Sequence, residues 1–153
     1  MNEEELGGSE ALAGAAGRMA RDPRSVAERW VQALTTHDLE AAVACFAPDY
    51  HDEAPARHGE SVQGREKVRE NFAALFRDVS NLRADLLRSV ADGDIVWMEW
   101  RMHGIRRDGT SLEFTGVNLF GVRDQQFAWG RIYTELVRDA GGVDAQIERM
   151  TRG

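Results

Sequence analysis

The chain has 153 residues, 42% of them hydrophobic and 29% charged, and a formal net charge of −7. This length predicts one domain with a substantial core. The negative charge and the dispersed basic residues argue against nucleic acid and anionic membranes as partners, because both need a basic face. One cysteine cannot form an intrachain disulfide, and no apolar stretch approaches the ~18 residues of a spanning helix, so we expect a cytoplasmic protein.

The two ends of the chain differ in composition from its middle. Residues 1–24 are rich in Ala, Gly and Glu and predict a flexible or partly helical extension. Residues 139–153 predict a tail with one short helix after Gly142. We therefore expect the functional domain to span residues 25–138.

Three helices are predicted in the first half of this domain. Ser25, with Glu28 three residues later, has the pattern of a capping box at the start of the first helix. The second helix starts near Asp38 and stops at Pro48, and the third covers about Arg65–Val79. Apolar residues at helical spacing mark their buried faces: Val26, Trp30 and Leu34; Leu39, Val43 and Phe46; Val68, Phe72, Leu75 and Phe76.

From Leu82 onward the apolar pattern has a period of two and predicts an antiparallel meander of four strands, the last of which closes the sheet. Helices followed by such a sheet indicate an α+β domain with the helices on one face. The second and third strands place an apolar row towards the helices, and the fourth combines large polar and aromatic residues on one face. These three rows are Val96, Met98, Trp100 and Met102; Leu112, Phe114, Gly116, Asn118, Phe120 and Val122; and Trp129, Arg131, Tyr133 and Glu135.

The segment DYHDEAP, residues 49–55, follows the second predicted helix and carries three carboxylates, an imidazole and a phenol. If these groups face a pocket, they favour general acid–base chemistry on a small molecule. If they face water, they form an acidic loop. His51, Glu53 and His58 match no zinc-binding spacing, so we expect no metal.

Four stretches resemble a known family: VAERWVQAL, HDLEAAVACFAPDY, ADGDIVWMEWRMHG and NLFGVRDQQFAWGRIYTEL. Over roughly Val26–Arg138 the chain resembles the SnoaL-like members of the nuclear-transport-factor-2-like superfamily, which includes ketosteroid isomerase, limonene epoxide hydrolase and polyketide cyclases. The resemblance implies a cone-shaped fold in which three N-terminal helices pack on a curved antiparallel sheet around a pocket. It also implies a homodimer through the outer sheet face, and a cofactor-independent cyclase or isomerase of polyketide-type secondary metabolism.

Carried over residue by residue, the resemblance implies a reduced catalytic set. The three steroid-isomerase positions hold Trp30 in place of a tyrosine, Glu53 or Ala54 as the base, and Asn118 as the oxyanion donor. A tryptophan supplies no phenol, but an asparagine amide can donate to an oxyanion. Polyketide cyclases have an acidic group on the last strand, where this chain has Glu135.

These positions lead to a specific expectation for the site. Glu53 or Glu135 would move a proton, while Asn118, with Tyr133 or Arg131, would stabilise an enolate-like oxygen. An apolar small-molecule substrate would pack against a set of large apolar side chains: Trp30, Phe72, Met98, Trp100, Phe114 and Phe120.

Two alternatives stay open. Limonene epoxide hydrolase has an Arg-x-Asp pair on one strand and an Asp on the last, whereas this chain has the reversed pair Glu99 and Arg101, with Glu135. Side chains two apart share a face of the strand but lie at different depths, so the reversal exchanges the positions of acid and base. Epoxide hydrolysis is therefore the weaker alternative. The other alternative is a non-catalytic ligand-binding or dimerisation module. Trp97, beside Glu99 and Arg101, favours a dimer interface over a pocket on that face.

Overall fold

The computed structural model describes Leu12, Gly14, residues 22–139 and residues 141–153. The predicted extension over residues 1–24 therefore lies almost entirely outside the described residues. None of the described helices combines the length and apolarity needed to cross a membrane.

Four helices are described: α1 (Arg24–Thr35), α2 (Leu39–Ala44), α3 (Arg65–Asp78) and α4 (Gly142–Thr151). The capping box predicted at Ser25 is wrong, because α1 begins one residue earlier. The Arg24 N–H donates to Asp22 Oδ1 at 3.0 Å, and the Ser25 hydroxyl donates to the Asp22 carbonyl at 2.7 Å. Pro23 precedes the helix with a helical φ of −59° and has no N–H to satisfy, so the cap moves back to Asp22.

The second helix is shorter than predicted. Asp38 caps it as expected, since its Oδ1 accepts from the Ala41 N–H at 3.0 Å. The helix ends at Ala44, however, and a strand starts at Phe46, so the prediction that it continues to Pro48 is wrong. The Cys45 carbonyl accepts from the N–H of Phe127 at 2.7 Å, and this pairing with the last strand draws the chain into the sheet.

Six strands form one sheet, with the order β2-β1-β6-β5-β4-β3. The predicted antiparallel meander is confirmed for the last four strands. The first two strands were not predicted. The strand β1 pairs in parallel with β6, and β2 pairs with β1 in antiparallel fashion, so β6 lies inside the sheet instead of closing it. The bounds are β1 (Phe46–Glu53), β2 (Ser61–Gln63), β3 (Arg83–Asp92), β4 (Ile95–Ile105), β5 (Ser111–Arg123) and β6 (Gln126–Leu136).

The core lies between the helices and one face of this sheet, which we call the inner face. Trp30 on α1 is 3% exposed and stands at the centre of an aromatic cluster. Its ring centroid lies between 4.8 and 5.9 Å from five other rings: those of Phe46, Phe72, Trp100, Phe120 and Phe127. The α+β class with helices packed on a curved sheet is thus confirmed.

Candidate active site

A cavity of about 210 Å³ lies between α1, α3 and the inner face of the sheet. Its wall is largely apolar, which fits an apolar ligand. The deepest lining residues are fully buried, whereas Val62, Phe114 and Ile132 are half-exposed and mark its mouth. Seven aromatic residues line the cavity: Trp30, Phe46, Tyr50, Phe72, Trp100, Phe114 and Phe120.

Asp52 supplies the one carboxylate that lines this cavity within the described part of the chain. It lies on β1, where Oδ2 accepts from the Tyr50 hydroxyl at 2.8 Å and Oδ1 accepts from the Val62 N–H at 3.0 Å. Burial raises the pKa of Asp52 above its usual range, and the two hydrogen bonds oppose this shift in part. A carboxyl whose pKa is raised by burial is better suited to proton transfer than an ordinary surface acid.

Tyr50 holds this carboxylate from the deeper side of the cavity. Its side chain is 1% exposed, and burial together with the neighbouring Asp52 raises the pKa of the phenol well above its usual range. The phenol therefore stays neutral and donates a hydrogen bond to Asp52. The absence of a side chain at Gly130 makes room for it, because a Cβ there would lie 2.7 Å from Tyr50 Oη.

A chain of hydrogen bonds orients Asn118 on the inner face of β5. Trp100 Nε1 donates to Thr134 Oγ1 at 3.2 Å, and the Thr134 hydroxyl donates to Asn118 Oδ1 at 2.6 Å. The backbone N–H of Tyr133 donates to the same oxygen at 3.1 Å. Since a backbone N–H can only donate, the facing atom must be the amide oxygen. The amide N–H groups, which no described residue accepts, are left for the cavity that Asn118 lines.

The sheet register sets the separation between Asp52 and Asn118. Asp52 pairs with Gly130 on β6, and Asn118 on β5 pairs with Ile132, so all four residues share the inner face. One strand lies between the two polar side chains, which puts their backbones roughly 10 Å apart across the sheet. A small ligand can therefore contact the carboxylate at one end and the amide at the other.

Arg57 stands at the mouth of the cavity, on the connection between β1 and β2. Its Nη1 donates to the carbonyl of Thr134 at 2.8 Å and to Glu135 Oε1 at 2.6 Å, and its Nε donates to Glu60. Two acids thus neutralise the one cation that lines the cavity within the described residues. The guanidinium fastens this connection to β6 and presents no net positive charge to a ligand.

Several predicted site residues lie outside the cavity, on the opposite, outer face of the sheet. Glu53 is directed outward, with a side chain 69% exposed and a distance of 3.6 Å to Arg131 Nη1. Arg131 is exposed, Tyr133 is 41% exposed, and Glu135 reaches the mouth only through Arg57. The expectation that these four side chains face the pocket is wrong. Side chains alternate along a strand, and the inner positions of β6 belong instead to residues 130, 132 and 134.

Other predicted residues lie where the sequence placed them. Five of the predicted apolar contacts and the predicted amide line the cavity: Trp30, Phe72, Trp100, Phe114, Phe120 and Asn118. Met98 lies on the inner face but is fully buried in the core below the cavity lining. Their roles in binding and catalysis stay predictions.

The sequence analysis named Tyr50 and Asp52 only as members of the acidic segment 49–55 and chose Glu53 from it, and it missed Thr134. It read residues 49–55 as a connection after a helix, so no face could be assigned to them. The signal was present: Phe46, Tyr50 and Asp52 have even numbers, while the charged Asp49 and Glu53 have odd numbers. Tyr50 and Asp52 face inward on this strand, whose pairing with β6 is irregular between Phe46 and His51.

The residues that epoxide hydrolysis would need do not converge. Glu99 lies 3.6 Å from Arg88, and Arg101 lies 2.8 Å from Asp85, both on the outer face. Glu135 is bound to Arg57 at the cavity mouth. For metals, the described residues contain no group of three or more His, Cys, Asp or Glu placed to hold an ion.

A curved sheet with helices packed on one face around a cavity is the nuclear-transport-factor-2-like fold. The SnoaL-like domain family matches residues 27–129, and the chain belongs to this family. A comparison with curated proteins gives no match.

Solved structures with similar folds include proteins of several descriptions. An LEH-like epoxide hydrolase from M. tuberculosis has 20% identity and a TM-score of 0.62, covering 72% of this chain and 80% of that one. A protein described as a SnoaL-like polyketide cyclase, from Shewanella denitrificans, has 13% identity and a TM-score of 0.61, with coverages of 74% and 90%. A hypothetical protein with a ketosteroid isomerase-like fold from Catenulispora acidiphila, in complex with trimethylamine, has 21% identity and a TM-score of 0.57, with coverages of 71% and 83%. At these identities the similarity establishes the fold alone.

Proposed function

We propose that this protein is a cofactor-independent cyclase or isomerase that acts on an apolar small molecule by acid–base catalysis. The observation that carries the proposal is Asp52, a half-buried carboxylate with a raised pKa that lines an apolar cavity. It replaces Glu53 and Glu135 as the proposed proton carrier. The fold likeness to a protein described as a polyketide cyclase supports the same reaction class.

The proposed chemistry starts with proton transfer to Asp52. The carboxylate takes a proton from a carbon next to a carbonyl group, and the electron pair of that C–H bond moves towards the carbonyl oxygen. The amide N–H groups of Asn118 donate to the developing enolate oxygen. In an isomerase, Asp52–H returns the proton to a different carbon; in a cyclase, the enolate carbon attacks a second carbonyl, and the proton goes to the new alkoxide.

The test uses neighbouring residues on opposite faces of β1. A small ketone is incubated in D₂O with the protein, and deuterium uptake at the carbon next to the carbonyl is followed by NMR. We expect Asp52→Asn to lower the protein-catalysed rate by about 10²-fold or more, because it removes the base. Glu53→Gln is the matched control and should keep the rate. A rate that survives Asp52→Asn while folding is intact would show that Asp52 is not the base.

A ligand-binding protein without catalysis is the second candidate, and one observation favours it. Both carboxylate oxygens of Asp52 already accept hydrogen bonds, from Tyr50 and from the N–H of Val62, as a purely structural acid would. Under this candidate the wild-type protein binds small ketones but exchanges no protons above the buffer rate. The D₂O experiment therefore separates the two candidates.

We also propose that two copies associate through an outer patch, defined as Val90, Trp97, Val117, Leu119 and Tyr133. Trp97 is paired with Val90 on one side and Leu119 on the other, so these side chains are adjacent across three strands. Val90, Trp97 and Tyr133 are exposed and the other two are half-buried, and an apolar surface of this kind favours an interface. Two ion pairs border the patch, Arg88 with Glu99 and Asp85 with Arg101. Because both charge signs are present there, a copy related by a two-fold axis can meet the patch with complementary charges.

Sedimentation velocity tests this association. We expect a dimer for the wild type and a monomer for Trp97→Glu, because the substitution buries a charge at the centre of the patch. Ile105→Glu is the control, since Ile105 is similarly exposed but lies at the end of β4, outside the patch. A monomeric wild type, or a dimer unaffected by Trp97→Glu, would exclude the patch as the interface.

A further inference from the structure

The cavity adjoins a second hollow of about 330 Å³, which we call the outer hollow. Four residues line both spaces and therefore stand between them: Asp52, Arg57, Val62 and Ile132. Three of the four belong to strands, whereas Arg57 lies in the connection between β1 and β2. Arg57 is thus the part of this partition that can move without disturbing the sheet.

The loop that carries Arg57, residues 55–60, closes on itself. The Ala54 N–H donates to the Glu60 carbonyl at 3.2 Å, and the Arg57 N–H donates to the Ala54 carbonyl at 2.9 Å. A Cβ at Gly59 would have open space around it. The strand that follows, β2, has three residues and lies at the edge of the sheet. The 55–60 loop therefore has room to move, and its base is a short edge strand.

The side chain of Arg57 ties this loop to β6. The strand β6 continues past Arg131, the last residue that pairs with β1, and ends at Leu136. Along this free edge Arg57 Nη1 donates to the Thr134 carbonyl at 2.8 Å and to Glu135 Oε1 at 2.6 Å. Among the described residues, these are the two hydrogen bonds that join the loop to β6. The guanidinium thus closes the gap that β1 leaves at the edge of the sheet.

This tie is of a kind that breaks and re-forms easily. The side chains of Arg57, Glu135 and Glu60 are 29%, 47% and 61% exposed. Ion pairs at such positions contribute little to stability, because water competes for both partners. The loop can therefore leave β6 while the rest of the sheet stays paired.

The two spaces differ in size and in polarity. The cavity of about 210 Å³ holds about one substituted ring, since a cavity of about 150 Å³ accommodates benzene. Joined to the outer hollow, it would fall within the ≈ 300–1,000 Å³ of sites for drug-sized ligands. The cavity wall is largely apolar, whereas the outer hollow is lined by Arg57, Glu60 and Ser61 among others. A molecule that fills both spaces therefore has an apolar end and a polar end.

We propose that the 55–60 loop is a lid, that Arg57 is its latch, and that release of this latch admits elongated molecules with an apolar ring and a polar end. With the lid closed, the ring alone fits in the cavity. With the lid open, the polar end occupies the outer hollow. Arg57 thereby determines the length of the ligand. The latch acts on the cavity of the proposed function, whether the ligand reacts there or is only bound.

The first experiment compares two alcohols of different length, benzyl alcohol and biphenyl-4-ylmethanol, by isothermal titration calorimetry. We expect Arg57→Ala to raise the affinity for the longer alcohol relative to the shorter one about tenfold, because the open state is no longer a minor population. Arg123→Ala is the matched control. Arg123 also binds an acid at 2.6 Å, Asp49 of β1, but does not line the cavity. It should leave the affinity ratio unchanged.

A second variant separates a movable latch from a fixed wall. Glu135→Gln keeps the bulk of Arg57 and removes the charge that holds it, while the bonds to Thr134 and Glu60 remain. We expect the affinity ratio to rise about threefold. A ratio that rises in Arg57→Ala but not in Glu135→Gln would show that Arg57 is a fixed wall. An unchanged ratio in both, or no binding of the longer alcohol to either, would show that the two spaces do not join.

Locking the lid should have the opposite effect. In the double variant Arg57→Cys and Glu135→Cys, a short bis-maleimide linker joins the loop to β6. The native Cys45 does not compete for the linker, because it is buried and burial raises the pKa of its thiol to about 11. We expect linking to lower the affinity ratio about tenfold or more relative to the unlinked double variant. The same ratio before and after linking would show that the ligand does not need an open lid.

The outcomes distinguish this inference from the proposed function, because alcohols carry no acidic carbon and report binding alone. If the affinity ratio responds to Arg57 and Glu135 as expected, but Asp52→Asn leaves proton exchange intact, the latch stands and the catalytic proposal fails. If proton exchange depends on Asp52 but the ratio is the same in every variant, the catalytic proposal stands and the latch fails.

Discussion

The two faces of the sheet give their acidic side chains different environments, and Asp52 and Glu53 show this difference within one strand. Asp52 faces the cavity, accepts two hydrogen bonds and has a raised pKa. Glu53, one residue later, is 69% exposed and has only a long ion pair with Arg131. Partial burial therefore raises the pKa of one acid, whereas its exposed neighbour on the same strand is an ordinary surface group.

The partners of the charged groups differ between the faces as well. On the outer face, Asp85 is paired with Arg101 at 2.8 Å and with His103 at 3.3 Å, and the hydrogen bond from Arg101 holds the pKa of Asp85 below its usual range. On the inner face, Asp52 has a phenol and a backbone N–H in place of a cation. The outer face is a surface of compensated charges, whereas the inner face keeps one uncompensated acid.

The largest expected difference in stability between the two faces concerns two tryptophans of β4. Trp100 is 5% exposed on the inner face and holds Thr134, while Trp97 is 44% exposed on the outer face. We expect Trp100→Ala to lower the free energy of unfolding by about 3–5 kcal/mol, because it opens a cavity in the core. Trp97→Ala should change it by less than about 0.5 kcal/mol in the monomeric chain.

Urea unfolding followed by circular dichroism at low protein concentration measures both variants. Similar losses for Trp100→Ala and Trp97→Ala would mean that the two faces do not differ in packing as described. A loss for Trp97→Ala that grows with protein concentration would instead report dimerisation through the outer patch.

The faces of β4 and β5 could be predicted from the sequence because their two faces differ clearly in polarity. Val96, Met98 and Trp100 alternate with Trp97 and Glu99, and the structure confirms the assignment. The alternation is visible wherever one face is buried against helices and the other is exposed.

The faces of β1 and β6 could not be predicted in the same way. In β6 both faces carry a large aromatic or polar residue, since Trp129 covers Gly121 on the outer face while Thr134 binds Asn118 on the inner one. In β1, Pro48 was taken as the end of a helix, so the strand Phe46–Glu53 was not predicted. Glu53 was chosen from the family resemblance alone, and a neighbouring position on a strand faces the opposite side, so the choice of Glu53 missed Asp52.

Two glycines, one on each face of the sheet, should show a difference in stability of intermediate size. A Cβ at Gly130, on the inner face, would lie 2.7 Å from Tyr50 Oη and 3.0 Å from the ring of Phe120, both fully buried. We expect Gly130→Ala to lower the free energy of unfolding by about 1–3 kcal/mol, because the rings cannot move away. A Cβ at Gly121 meets only the indole of Trp129, which is half-exposed and can turn towards solvent.

Gly121→Ala should therefore destabilise less than Gly130→Ala, and the two are compared by urea unfolding under identical conditions. Gly130→Ala has a second expected consequence, a displaced Tyr50 hydroxyl and a weaker hydrogen bond to Asp52. If Gly121→Ala proves the more destabilising variant, the outer indole is held as rigidly as the inner rings.

The smallest effect, and the most direct test of the contrast, is the pH dependence of stability at Asp52 and Asp85. The two pKa values move in opposite directions from the ordinary value of 3.8, upward for Asp52 by burial and downward for Asp85 by its hydrogen bond from Arg101. For Asp52 the folded state holds its proton more tightly than the unfolded chain, so its contribution to stability falls as the pH rises from below 3.8 through the raised pKa. For Asp85 the contribution is present above 3.8 and is lost as the pH falls through the lowered pKa.

Asparagine substitutions at the two positions should therefore give opposite pH profiles. Relative to the wild type, Asp52→Asn should gain free energy of unfolding as the pH rises from ~3 to ~7, because it removes a half-buried group that must ionise. Asp85→Asn should lose free energy of unfolding over the same range, by no more than about 0.5 kcal/mol, since this ion pair is nearly half exposed and screened by solvent. Urea titrations of the three proteins across this range measure both slopes. Slopes of the same sign would mean that Asp52 is stabilised as a carboxylate, and the cavity would then lack the acid with a raised pKa on which the proposed proton transfer depends.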